Sequence, residues 1–118
     1  MNPKARELHK RLLNFGVATT KYASKLSRTF TGKSIAWQLR DSCMSPASNY
    51  SEAQSAESKR DFVHKVQICL KELNETATWL GAAAALGPVT EELNQLRREC
   101  DELIAIFTKI VKTAKDNM

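Results

Sequence analysis

The chain has 118 residues, 42% apolar and 26% charged, which is the composition of one globular domain. Four Gly and three Pro are too few for a turn-rich all-β fold, and three widely spaced Cys without a C-x-x-C argue against a zinc ribbon or a disulfide framework. The formal charge of +5 makes an anionic partner worth considering.

The three cysteines, Cys43, Cys69 and Cys100, are expected as free reduced thiols, in keeping with a cytoplasmic protein. The charged N-terminal residues are not followed by an apolar stretch, and no apolar run approaches about 18 residues. Neither a signal peptide nor a membrane span is therefore expected. The charge itself is uneven. Residues 1–40 hold nine Lys/Arg against one acid, Glu7, whereas residues 41–118 hold nine bases against twelve acids. A basic first segment suits RNA or DNA, and it equally suits a solvated helix face.

Leu8, Leu12, Phe15, Thr19, Tyr22 and Leu26 alternate steps of four and three, which predicts a helix over about 3–28. Asn2 before Pro3 forms an N-cap and first-turn pair. Ile35, Leu39, Ser42, Pro46, Asn49 and Ala53 continue the period over 34–54, but this second stripe turns polar after Leu39. Pro46 has no N–H and crowds the preceding turn, at a cost of about 3 kcal/mol or more in a helix interior. A kinked helix is expected there, with Ser and Asn side chains serving the freed backbone groups.

The third helix is expected over 58–84. Ser58 is its cap, Asp61 the acidic capping-box partner, and Phe62, Val66, Cys69, Leu73, Thr76 and Leu80 form its seam. It ends at Gly87 and Pro88. The fourth, over 89–115, carries Val89, Leu93, Leu96, Cys100, Leu103, Phe107 and Ile110. The links are short, so sequential helices run antiparallel. The expected fold is all-α, a single up-and-down antiparallel four-helix bundle domain over residues 1–118.

Asn49 and Glu52 are three apart and share a face. Turned inward, they need hydrogen bonds or a cation. Arg40 lies twelve residues from Glu52, about 18 Å along a helix. It can reach an acid on a neighbouring helix or a neighbouring subunit instead.

The stretches QLRDSCMSPASNYSEA and DFVHKVQICLKELNETATWL resemble the 23S rRNA intervening-sequence protein family, and the likeness runs from about Glu7 to Lys112. The family's second-helix motif falls on Gln38, Leu39, Arg40, Ser45, Ser48, Asn49 and Glu52. Its third-helix Phe and Glu fall on Phe62 and Glu75. Two departures stand out: Pro46-Ala47 occupies the place of Ile-Pro, and Ala53 that of a Gly. The resemblance implies a bundle that assembles as a ring, often a homopentamer, with no defined activity. A related group serves as the basic accessory subunit of reverse transcriptases in diversity-generating retroelements.

For nucleic acid, the candidates are Lys4, Lys10, Arg11, Lys21, Lys25 and Arg28 near the start and Lys109, Lys112 and Lys115 near the end. No aromatic residues interleave with them as base-stacking platforms require, so contacts are expected to phosphates, with steep salt dependence. Trp37 and Trp79 lie off their helices' main seams and are candidate interface residues. Arg40, Ser45, Pro46, Ser48, Asn49, Glu52 and Glu75 are read as a structural and assembly motif. Glu52 and Glu75 as an acid–base pair are the enzymatic alternative. His9 and His64 are isolated, and neither a metal site nor a cofactor is expected. The reading is a non-enzymatic homo-oligomeric scaffold that binds structured RNA or DNA through a basic face, away from membranes. The alternative is a protein–protein adaptor, including a reverse-transcriptase accessory subunit.

Overall fold

Residues 1–118, described by a computed structural model, form five helices and no strand: α1 (Pro3–Leu26), α2 (Gly32–Cys43), α3 (Ser45–Gln54), α4 (Lys59–Leu86) and α5 (Glu91–Asp116). Asn2, Ser58 and Thr90 begin α1, α4 and α5. Each side chain accepts the backbone N–H three residues on, at 2.8, 3.0 and 3.1 Å, which satisfies one otherwise orphaned donor per helix. The Asp61 carboxylate accepts the N–H of Glu57 rather than of Ser58, one residue beyond a capping box. Gly87 ends α4 at φ +69°, a conformation that favours glycine.

The helices surround one core. α1 packs on α2 and α3 on one side and on α5 on the other, while α4 packs on α2, α3 and α5. α1 and α4 therefore stand on one diagonal and α2–α3 and α5 on the other. The long axis is 46 Å, close to the length of the 28-residue α4 at about 1.5 Å per residue. Leu12, Leu39, Val66, Leu73, Leu80, Leu93, Leu103 and Phe107 are fully buried. Each such side chain stabilises the fold by about 2 kcal/mol. Across the α3–α5 diagonal, Tyr50 meets Phe107 edge to face with ring centroids 5.4 Å apart. The polar seam positions Ser42 and Thr76 also face inward, and their hydroxyls lie 2.8 Å apart.

The single kinked helix expected over 34–54 is two helices. The break falls at Met44, and Pro46 sits in the first turn of α3. There its missing N–H leaves no ladder bond unmade, so two helices accommodate what one could not. At the other end of the chain, Val89 precedes the Thr90 cap and is 55% exposed instead of joining the α5 seam. No helix is long and apolar enough to cross a membrane.

Candidate nucleic-acid interface and assembly surfaces

The core-facing stripe of α1 turns the opposite side of that helix to solvent. Arg6, Lys10 and Lys21 are exposed along it, and Arg28 is exposed just past its end. None of these four has a carboxylate partner among the five ion pairs of the protein. Lys4, Lys109, Lys112 and Lys115 are likewise exposed and unpaired. Two other candidates are engaged. Arg11 donates twice to Glu99, both bonds at 2.7 Å, and reaches Glu102 at 3.3 Å. Lys25 pairs with Glu92 at 3.1 Å. The Arg11 guanidinium is pushed further above its ordinary range by the Glu99 hydrogen bonds, against the opposing effect of burial. The nine bases thus divide by role: Arg11 and Lys25 clamp α1 to α5, and the rest face solvent.

The polar motif of α3 is self-contained. Asn49 Nδ2 donates to both the carbonyl and the hydroxyl oxygen of Ser45 at 3.0 Å, one turn back. Glu52 is exposed and reaches Lys65 of α4 at 3.5 Å. Pro46 is buried and Ser48 exposed. Glu75 lies ten residues beyond Lys65 on α4, about 15 Å along the helix, so Glu52 and Glu75 do not meet. The neighbour of Glu75 is instead Glu72, whose carboxyl is raised above the ordinary range by burial and then by Glu75. Arg40 has no acid within its own chain; its guanidinium donates to Ser27 Oγ at 3.5 Å.

The two tryptophans differ. Trp37 is 67% exposed on the outer side of α2, whereas Trp79 is half-buried and packs against the core. Leu13, Val17 and Met44 add to the exposed apolar surface. Leu13 and Met44 line one shallow depression between α1 and α3 with Ala47 and Ser48. Their i, i+4 relation (Leu13, Val17) on an otherwise basic helix face was the sequence signal for this surface. All three thiols are buried, with Cys69 and Cys100 pushed up to about 12 by desolvation.

A model of the 23S rRNA-intervening sequence protein family matches residues 5–109. The chain belongs to that family. A crystal structure of a protein of unknown function from the S23 ribosomal protein family of Bacteroides thetaiotaomicron is similar to it, with a TM-score of 0.81 and 27% identity. The similarity covers 88% of this chain and 97% of that one. No curated protein matches the chain. For this 23S rRNA-intervening sequence family member, the motif residues Ser45, Asn49 and Glu52 thus sit on α3 beside the Met44 break. The bonds of Ser45 and Asn49 stay within α3, and Glu52 alone reaches α4, at Lys65.

Proposed function

We propose that the protein is a non-enzymatic, self-associating cytoplasmic scaffold that binds nucleic-acid phosphates through the outward face of α1. One observation carries this reading: Arg6, Lys10 and Lys21 on α1, and Arg28 just past its end, stand exposed without a carboxylate partner. Unpaired cations on a rigid helix release phosphate counterions when they bind, which gives affinity without base readout. The helix is braced for this role, because Arg11 and Lys25 tie it to α5. Self-association, as a ring of which a homopentamer is the expected form, multiplies the charge on one particle and makes weak contacts additive. Trp37 on α2, away from the basic face of α1, is the contact proposed between copies. Titrating fluorescein-labelled RNA hairpins and duplex DNA into the purified chain at 50 and 200 mM salt tests the reading. Affinity should fall steeply with salt for both. Salt-independent binding, or none at 50 mM, would contradict it.

A second reading is a protein–protein adaptor, including an accessory subunit of a diversity-generating retroelement reverse transcriptase. The exposed apolar side chains Leu13, Val17, Trp37 and Met44 favour it, since apolar surface of this kind marks protein contacts. Co-purification with a reverse transcriptase encoded beside it would select this reading.

A further inference from the structure

α5 outlasts α1 at the lower end of the bundle. Arg11 sits opposite Glu99 and Glu102 across the antiparallel α1–α5 seam. Pro3, where α1 begins, is eight residues before Arg11, and the residues eight beyond those two acids are Phe107 and Ile110. The stripe that α5 turns toward α1 therefore runs on past Ile110 with no helix over it. A cleft of about 570 Å³ lies there, lined by Phe62 of α4 and by Ile106, Ile110 and Ala114 of α5. Its charged lining residues are Lys59 and Lys109, and no carboxylate lines it. Lys59 Nζ gives one proton to the Asn117 carbonyl at 3.2 Å and keeps others free, while Lys109 has no partner.

We infer that this cleft binds a single-chain anionic amphiphile, its tail against Phe62, Ile106, Ile110 and Ala114 and its acidic head between Lys59 and Lys109. The volume is that of a small-ligand site, mostly apolar with few charged groups at the edge. The α5 residues that line the cleft, Ile106 to Asn117, span about 16 Å at 1.5 Å per residue, the length of a dodecyl chain. A peptide helix confined to three turns is a poorer occupant, because helices that short are barely formed in water. Two ammonium groups at an apolar opening select a negative head, and a cationic head would meet like charge. This inference is independent of the nucleic-acid reading, since it uses the apolar end of α5 rather than the outward face of α1.

Isothermal titration calorimetry of the full chain, with each probe below its micelle concentration, tests it. The probes are dodecanoate, dodecyl phosphate and dodecyltrimethylammonium. The anions should bind saturably at one site per chain and roughly tenfold or more tighter than the cation. The tighter of the two anions then assigns the head group. Ala114→Trp, which fills the cleft, should abolish binding. Lys109→Glu, a surface change that leaves the core untouched, should weaken it roughly tenfold. Equal affinity for anion and cation, no saturable binding, or binding unaffected by Lys109→Glu would overturn the inference. So would a fall in oligomer mass caused by Ala114→Trp, which would make the cleft a contact between copies.

Discussion

The backbone of Gly16 lies against the carbonyl of Cys43. A Cβ at Gly16 would come within 2.9 Å of that oxygen and 2.5 Å of Met44 Sδ. The same place is knitted by polar contacts, with Thr20 Oγ1 3.3 Å from Cys43 Sγ and donating to the Gly16 carbonyl at 2.8 Å. The absence of a side chain at Gly16 thus lets α1 approach the α2–α3 break. Gly16→Ala should destabilise the fold by about 1–3 kcal/mol, because overpacking outweighs the roughly 1 kcal/mol that Ala gains as a helix former. The methionine sulfur can move aside, but the Cys43 carbonyl cannot without shifting the break. Chemical denaturation checks this; unchanged or increased stability would show that the approach is loose.

Arg11 and Glu99 tie the two ends of the chain together. Their side chains are 37% and 29% exposed, and the fork geometry is bidentate. Such a pair is worth about 1 kcal/mol, more than an ordinary surface ion pair because two parallel bonds share it. Arg11→Ala should lower stability by that amount. The loss should shrink as salt is raised.

Glu72 should give the fold an unusual pH signature. Its folded carboxyl is raised above the ordinary carboxylate range, first by burial and then by the charge of Glu75. The folded state therefore holds this proton more tightly than the unfolded chain does. The contribution is fully present below the ordinary carboxylate pKa and is lost as pH rises through the higher folded value. Glu72→Gln should accordingly raise the Tm at pH 7, and the gain should vanish near pH 4. A lower Tm at pH 7 would mean that the charged form makes a stabilising contact.

Trp37 is the side chain on which self-association can be tested with least risk to folding, because its ring is 67% exposed. Light scattering should give the wild-type chain a mass several times its 13.2 kDa. Trp37→Ser should shift that mass toward one chain while the circular dichroism spectrum stays helical. A wild-type chain that is monomeric at working concentrations would remove the ring and the multivalency that depends on it.

Much of the fold was legible in the sequence, for a physical reason. Leu12, Phe15, Leu73, Leu80, Leu93 and Leu103 repeat at the period that one buried helix face demands, and each is buried. The Asn2 and Ser58 caps were equally plain, since such residues serve the first-turn donors locally. The position of the break was less so. Pro46 announced an interruption, but its placement at Met44 depends on the contact with Gly16 on another helix. The division of the bases was legible only in part. The α1 stripe puts Arg11 at its edge and Lys10 opposite it, but the acids that engage Arg11, Glu99 and Glu102, lie eighty-eight or more residues away. The apolar cleft was hidden likewise: Ile110 reads as a seam residue, and only the register of α1 against α5 leaves the stripe beyond it without a covering helix.

The most direct test of the proposed function compares the unpaired bases with the paired ones. Lys10, Lys21 and Arg28 replaced together by Ala, and Arg11 and Lys25 replaced together by Ala, are each titrated with the same labelled RNA at matched salt. The first variant should stay as stable as wild type, lose most of its affinity, and show a salt slope smaller by about 0.7–0.9 for each phosphate contact removed. The second should melt earlier yet bind nearly as wild type while folded. Undiminished binding by the first variant, or equal losses in both, would contradict the account.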